Sequence, residues 1–268
     1  MSVATLERRL TTLERAVDRV LAPAVAPPTP LALFRQAGYQ PDQWQIEILE
    51  QRPHRGLLCC CRQAGKSSVT AALAVHNALY SPGSLTLLLS PTLRQSSELL
   101  KTCLSIYRAI GRPGLVTAEG ALSLEIAGGG RIVSLPGTES SIRGFAGVNL
   151  LIVDEAARVP EATFASALPM IGVSNGAIIV LSTPFGKRGF FWNLWNAGGD
   201  DWARWHVAAS ACPRWSDERM AEASRVLGSY WYEQEIDPVV FLDSETAAFN
   251  SDDIDRAFSR KVVEWTFL

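Results

Sequence analysis

The sequence predicts an α/β fold: a doubly wound, mostly parallel sheet with a small helical subdomain after it. Short apolar runs bounded by turn residues recur from residue 31 onward, which is typical of buried parallel strands. Amphipathic helical patterns that begin at Ser67, Leu93 and Glu161 lie between these runs. The predicted strands are GLLCCC, SLTLLLS, RIVSLP, LLIVDE and AIIVLSTP.

We divide the chain into three parts. Residues 1–30 carry a heptad-like apolar seam and then the proline-rich segment APAVAPPTP, which predicts a helix and a stiff linker. Residues 31–208 contain all five predicted strands and form the predicted sheet domain. Residues 209–268 contain SDERMAEASRVLGSYWYEQEI, a helical pattern with a partial capping box at Ser216. This last part is the predicted helical subdomain.

The composition excludes several classes of protein. With 268 residues, 47% of them hydrophobic and 19% charged, the chain is globular, and its net charge of −2 leaves nucleic-acid contacts to local basic patches. Three of the five cysteines are adjacent in an apolar run, which predicts buried thiols in a reducing compartment and not a disulfide framework. No cysteine pair has the spacing of a zinc site, and no apolar run reaches about 18 residues. We therefore expect a cytosolic protein without a membrane partner.

The segment CCCRQAGKSS, residues 59–68, ends like a phosphate-binding loop but begins differently. The pattern G-x-x-x-x-G-K-[ST] has glycine at its first position, where this chain has Cys60. A predicted strand precedes the loop and a predicted helix follows it, as ATP binding requires, although a plain surface turn is the alternative. Lys66 would reach the β- and γ-phosphates, and Ser67 would bind Mg²⁺. The predicted nucleotide-binding residues of the loop are Arg62, Gln63, Ala64, Gly65, Lys66, Ser67 and Ser68.

A second motif, LLIVDEAARV, is an apolar strand that ends in two acids. Asp154 would hold Mg²⁺ through water, and Glu155 would orient the water that attacks the γ-phosphate. An acidic cap on the following helix is the alternative for this pair. Because both motifs follow separate apolar strands, together they favour a site for Mg·ATP.

Other candidates lie around these two motifs. Ser182 and Thr183 end the strand AIIVLSTP, at the strand edge where ligands bind, so their hydroxyls would sense the γ-phosphate. Arg62 would contact the γ-phosphate of its own subunit. Arg143, in SSIRGF, has two interpretations: it reaches the site of a neighbouring subunit, or it binds a carboxylate in its own.

The segment YQPDQWQ also has two interpretations. In the first, Gln45 reads the edge of adenine while Tyr39 or Trp44 stacks on the base. In the second, Asp42 caps a helix and Trp44 belongs to the core. Nothing in the sequence separates the two.

The order of CCCRQAGKS, SPTLRQSSELL, SIRGFAG, LLIVDEA, LSTPFGKRGFFW and LGSYWYEQEI resembles the ATPase domain of phage terminase large subunits, the DNA-packaging motors, over roughly residues 40–258. The resemblance implies a P-loop NTPase of the ASCE, RecA-like type, with a lid subdomain in the third part of the chain. The RQ-x-GKS loop is typical of that family and accounts for Cys60. The resemblance further implies that Ser182 and Thr183 form the coupling motif and that Arg143 acts in trans.

The resemblance also implies the partners and the cellular place. These are double-stranded DNA, a portal protein and the small terminase subunit, with the chain in a homo-oligomeric ring in the host cytoplasm and at the procapsid portal. Lys187 and Arg188 are the candidate contacts to DNA phosphates. Family members continue into a metal-dependent nuclease, but Asp252, Asp253 and Asp255 fit a helix start and the chain then ends, so we expect no DNA cleavage. Two alternatives are a helicase-like DNA-dependent ATPase and a weakly hydrolysing assembly fragment.

Overall fold

Eight strands form a single sheet in the computed structural model, which describes residues 26–138, 142, 144–238, 241–243 and 251–259. The strands lie side by side in the order β3-β4-β5-β2-β6-β7-β1-β8. From β5 to β8 in that order all neighbours are parallel, whereas β3 and β4 form an antiparallel hairpin at the edge. The prediction of a doubly wound, mostly parallel sheet is therefore confirmed. In chain order the strands are β1 (Arg55–Cys60), β2 (Leu85–Ser90), β3 (Val116–Glu119), β4 (Ser123–Ile126), β5 (Gly130–Pro136), β6 (Val148–Val153), β7 (Ala177–Ser182) and β8 (Ala203–Val207).

Helices cover both faces of this sheet, so the core has two layers. Helices α1 to α4 share one buried cluster with one face of the sheet, and α5 and α6 share a second cluster with the other. Each strand of the parallel centre is therefore buried on both sides, which is why it reads as a continuous apolar run. In chain order the described helices are α1 (Pro30–Gln36), α2 (Gln43–Gln51), α3 (Lys66–Tyr80), α4 (Leu93–Ala109), α5 (Glu161–Gly172), α6 (Gly189–Ala197), α7 (Asp217–Glu235) and α8 (Ser251–Ser259).

The five predicted strands are all present, and three short strands escaped prediction. The missed strands are the hairpin β3–β4 and the edge strand β8. The hairpin strands have four residues each, and β3 is mostly exposed, so neither forms an apolar run. In strand β8, Trp205 and Val207 are buried, and the residues before each of them, Arg204 and His206, are exposed. Its alternation is that of a half-buried edge strand, and this pattern was the available signal.

The long helix α7 begins as its sequence predicts. The Ser216 side chain accepts a hydrogen bond from the backbone N–H of Arg219, which caps the first turn. The helix is broken in the middle by Gly228, whose φ of 74° and ψ of 168° are not helical. Helix α8 contains Asp252, Asp253 and Asp255, so the predicted helix start in this segment is confirmed.

Some sequence predictions fall outside the described residues, and others concern the cysteines and membrane spans. The helix predicted before residue 25, Arg143 and residues 263–268 are outside the described ranges. All five cysteines are buried and free, as expected, and burial raises the pKa of the Cys59 thiol to about 12. Among the described residues, no helix combines the length and the apolar character that a membrane span needs.

Candidate functional site

The candidate residues meet because three parallel strands end at the same edge of the sheet. Strand β7 lies between β1 and β6, in register with both. The phosphate-type loop follows β1, the pair Asp154–Glu155 follows β6, and Thr183 follows β7. Carboxyl ends of adjacent parallel strands are where open α/β sheets bind ligands. The fold therefore brings the separate sequence motifs together around one cleft.

The loop has the backbone conformation of an anion-binding turn. Gln63 and Gly65 have positive φ values of 59° and 86°, and such left-handed residues occur in the backbone turns that bind anions. A side chain at Gly65 would also lie too close to its surroundings, since a Cβ there would be 2.7 Å from Nε2 of Gln45. The cleft over the loop has a volume of about 390 Å³. Its lining consists of Arg62, Gln63, Ala64, Gly65, Lys66, Ser67, Ser68 and Glu155.

The missing first glycine has a structural explanation. Cys60 is the last residue of β1 and pairs with Val207 of β8, so its side chain lies fully buried in the core. A side chain is accommodated at this position because the strand has not yet ended. Lys66 folds back over the same strand end, with Nζ 3.4 Å from the carbonyl oxygens of Cys60 and Cys61.

The predicted metal ligands contact each other although they lie far apart in sequence, on two different strand ends. Asp154 is buried, its carboxylate accepts a hydrogen bond from the N–H of Glu155, and the nearby Ser67 hydroxyl lowers the pKa of this carboxyl. Burial raises the pKa of the Asp154 carboxyl to about 6; the charge of Glu155 adds to this effect and Lys66 opposes it. The site thus holds a desolvated carboxylate beside a hydroxyl, an oxygen donor set that fits Mg²⁺. Within the described ranges, no three or more His, Cys, Asp or Glu side chains are grouped so that they could hold a metal ion.

An arginine that the sequence analysis missed organises the acidic side of the cleft. Arg158 contacts Glu155 through Nη1, 3.2 Å from Oε2, and Thr183 through the same nitrogen, 3.3 Å from Oγ1. Its Nη2 lies 2.9 Å from Oε1 of Glu235, which is near the end of α7. The guanidinium stacks on the ring of Phe185 at 4.5 Å. Arg158 therefore connects Glu155, Thr183 and helix α7.

Glu235 is the second missed residue, and it also contacts the loop. Nε of Arg62 lies 2.6 Å from Oε2 of Glu235, and the Arg62 N–H donates to the Glu235 carbonyl at 2.9 Å. Burial would raise the pKa of Glu235, but the hydrogen bonds and charges of Arg62 and Arg158 hold it below the ordinary value. The Arg62 side chain remains 59% exposed, so it faces solvent at the mouth of the cleft.

The remaining predicted residues take well-defined places. The Ser182 hydroxyl accepts a hydrogen bond from the N–H of Ala157, so Ser182 and Thr183 both contact the turn that follows the acids. Lys187 forms an ion pair with Asp243, and the Arg188 guanidinium stacks on Phe185 at 4.7 Å. A role of Lys187 and Arg188 in DNA contact stays a prediction.

The segment before α2 has the features of the capping interpretation. Oε1 of Gln45 accepts the N–H of Asp42, the N-cap residue of α2, at 3.0 Å. Its Nε2 lies 3.3 Å from the Ala64 carbonyl, which belongs to the phosphate-type loop. Trp44 packs in the core, and Tyr39 stacks on Phe34 at 4.5 Å. Both side-chain groups of Gln45 are engaged within the protein, and adenine recognition by Gln45 stays a prediction.

Comparisons with known proteins agree on one family. A family model described as the N-terminal part of the terminase large subunit, T4likevirus-type, matches residues 58–258. The terminase large subunit of Thermus phage G20c is 26% identical over 178 residues, or 59% of this chain and 36% of that protein. The chain thus spans about a third of the length of this curated relative.

Solved structures match over most of the chain. The ATPase domain of the large terminase from Thermus phage P74-26 gives a TM-score of 0.66 at 22% identity and covers 76% of this chain and 95% of that domain. The large terminase of another thermophilic bacteriophage, solved in complex with ADP, gives a TM-score of 0.63 at 14% identity and covers 75% of this chain and 54% of that protein. These likenesses show that the chain has the fold of large terminase ATPase domains.

Proposed function

The chain belongs to the terminase large subunit family, whose N-terminal part it matches, and we propose that it is an ATPase motor that drives double-stranded viral DNA into a procapsid. The observation that carries this proposal is the convergence at one sheet edge. The phosphate loop, Ser67 and Glu155 line the same cleft, and the buried Asp154 carboxyl lies beside Ser67. This convergence supports a shared site for the loop, Ser67, Asp154 and Glu155.

In the proposed reaction, the loop amides and Lys66 bind the phosphates of ATP, and Ser67 and Asp154 hold Mg²⁺. When bound, Mg²⁺ would neutralise charge that develops on the phosphate oxygens. Glu155 accepts a proton from a water molecule while the oxygen of that water attacks the γ-phosphorus. The bond between the γ-phosphorus and the bridging β-phosphate oxygen breaks, which gives ADP and phosphate. Arg158 orients Glu155, because it contacts that carboxylate directly.

The proposed mechanical step uses the same contacts. Arg62 would contact the γ-phosphate, and Thr183 would sense its loss. Arg158 touches both Thr183 and Glu235 of α7, which offers a direct connection from the cleft to the last long helix. Movement of that helix would then move DNA.

The partners belong to the same proposal. DNA contact would be mainly to phosphates, with Lys187 and Arg188 as candidates, so binding would weaken steeply with salt and show little sequence preference. A portal protein, the small terminase subunit and a ring of identical subunits complete the proposed assembly in the host cytoplasm. Arg143 of one subunit would act on the site of its neighbour.

The test is ATP turnover against protein concentration with double-stranded DNA present, repeated while Arg143→Ala chains are added in increasing proportion. Turnover that rises faster than linearly, and falls disproportionately on doping, supports sites shared between subunits of a ring. Turnover that is strictly proportional to concentration, and only diluted by doping, contradicts a trans role of Arg143. A wild-type chain without any Mg²⁺-dependent turnover contradicts the ATPase itself.

A further inference from the structure

Three consecutive carbonyls of the phosphate loop accept hydrogen bonds from two neighbouring side chains far away in sequence. The Trp215 indole donates to the carbonyl of Arg62 at 3.0 Å. Nε of Arg214 donates to the carbonyl of Gln63 at 3.1 Å, and its Nη2 donates to that of Ala64 at 2.6 Å. These two residues lie in the segment between β8 and α7, about 150 positions after the loop. The loop is thus held from outside along its whole turn.

Arg214 is itself anchored at a second point. Its guanidinium forms a two-pronged ion pair with Asp42, with Nη1 3.3 Å from Oδ1 and Nη2 on the other oxygen. The Asp42 side chain is only 10% exposed. Gln45, one turn along α2, donates to the same Ala64 carbonyl that Arg214 binds. A planar guanidinium can serve a carboxylate and two carbonyls at once because its five donors have a fixed geometry, which a lysine ammonium lacks.

Because of the geometry of the peptide bond, these contacts also determine where the backbone N–H groups of the loop point. In a trans peptide, the C=O of one residue and the N–H of the next point in opposite directions. Carbonyls of residues 62 to 64 that are bound on the outside therefore direct the amides of Gln63, Ala64 and Gly65 toward the cleft. Within the described part of the chain, these three amides donate to no protein acceptor. Free amides that converge in a left-handed turn are an anion-binding nest.

We infer that Arg214 is a positioning residue for the phosphate loop, with Trp215 as its partner: it binds the outer carbonyls and so presents the inner amides to the β-phosphate of a nucleotide. The inference rests on the proposed function, since it gives a role to the loop as a nucleotide site. Arg214 does not itself touch the nucleotide. Arg214 therefore increases the affinity for every ligand with a pyrophosphate unit, by the same factor for ATP, ADP and pyrophosphate.

The experiment is calorimetric titration of Mg·ADP and Mg·pyrophosphate into the full chain and into Arg214→Gln. Loss of the two Arg214 hydrogen bonds leaves the loop less well ordered before binding, and ordering it then opposes nucleotide binding. We expect Kd to rise about tenfold or more for both ligands. In turnover assays, KM should rise by a similar factor while kcat changes less, because the reacting groups are untouched.

A conservative variant separates positioning from mere stability. Arg214→Lys keeps the charge that pairs with Asp42 but cannot reach both carbonyls, so it should restore Tm without restoring Kd. A purely structural role predicts the opposite pattern, in which Kd recovers together with Tm. Arg225→Gln is the matched control, because Arg225 is exposed on α7, and its Kd should equal that of the wild type.

The outcomes distinguish this inference from the proposed function. If the wild-type chain binds no Mg·ADP, the proposed function fails. If the wild type binds and Arg214→Gln binds equally well, only the role of Arg214 is overturned. If Arg214→Gln does not fold, Trp215→Phe tests the inference instead. This variant keeps an aromatic ring but removes the indole N–H donor, and we expect Kd to rise about two- to fivefold. An unchanged Kd in that variant also overturns the inference.

Discussion

The two halves of the cleft are held by different chemistry. The phosphate loop is fixed through its backbone, by donors from Arg214, Trp215 and Gln45 to neutral carbonyls. The acidic half is held by charges, in a chain of ion pairs that runs from Glu155 through Arg158 to Glu235. A loop held by its carbonyls keeps its amides ready for phosphate, whereas charged side chains that bind each other must exchange partners when a nucleotide brings new charge. Nucleotide binding and hydrolysis should therefore be separable by substitution.

The largest effect is expected on the acidic side. Glu155→Gln removes the proposed base for the attacking water, so ATP turnover should fall about 10²- to 10⁴-fold. The measurement is steady-state phosphate release with Mg·ATP. Glu161→Gln, at the exposed start of α5, is the control and should keep nearly full turnover. Residual turnover above a tenth of the wild-type rate in Glu155→Gln would show that another group acts as the base.

The loop side should respond through affinity. Lys66→Ala removes the ammonium that we propose binds the β- and γ-phosphates, and loss of such a charge-assisted contact should weaken Mg·ATP binding about 100-fold. The check is equilibrium titration with the nucleotide. Thermal unfolding should show a folded protein, since the hydrogen bonds of the ammonium to the strand-end carbonyls are long, at 3.4 Å. Binding within threefold of the wild type would mean that the ammonium does not reach the phosphates.

Backbone geometry gives the next prediction. Gly65→Ala forces a side chain into a left-handed conformation with φ of 86° and against Gln45, at a cost of about 1–2 kcal/mol. Urea unfolding should record this loss, together with a weaker affinity for Mg·ADP. The contrasting control is Gly172→Ala at the end of α5, where no heavy atom lies within 4 Å of the added Cβ. That variant should gain up to about 1 kcal/mol because alanine favours the helix. Equal effects of the two substitutions would remove the case for strain in the loop.

The smallest effect concerns the ion pairs of Glu235. The folded state holds the pKa of Glu235 below its ordinary value of 4.5, so the group stabilises the fold above that pH, and this contribution is lost as pH falls through the folded pKa. Glu235→Gln should cost about 1 kcal/mol near pH 7, since both arginine partners are partly exposed, and nearly nothing in strong acid. Urea unfolding at the two extremes measures the difference.

The control for this pH effect lies two residues away. Glu233 is exposed on the same helix, so Glu233→Gln should change the free energy of unfolding by only a few tenths of a kcal/mol at either pH. A cost of Glu235→Gln that does not vary with pH would show that the carboxylate acts through packing and not through its charge.

The central strands and the two motifs were predictable because their signals are local. A strand buried on both faces must be apolar along its length, and the loop Arg62–Ser67 has its glycine and lysine within a few positions. The contact between Ser67 and Asp154 then follows from topology, since their strands end at one edge. The core place of Trp44 was one of two interpretations that the sequence left open.

The residues that hold the site were not predictable, because their partners lie far away in the chain. Arg62 and Glu235 are 173 positions apart, and Arg214 and Gln63 are 151 apart. A surface arginine on a helix or loop has the same appearance in sequence whether it meets solvent or a buried carbonyl. Only the packing of β8 and α7 beside β1 reveals these contacts.

The most direct test of this comparison is titration of Mg·ATP into the wild type, Lys66→Ala and Glu155→Gln under identical conditions. We expect Glu155→Gln to bind Mg·ATP as tightly as the wild type although it does not hydrolyse it, and Lys66→Ala to lose binding although it is folded. Loss of affinity together with turnover in Glu155→Gln, or wild-type binding by Lys66→Ala, would contradict the claim that the loop half of the cleft binds the nucleotide and the acidic half hydrolyses it.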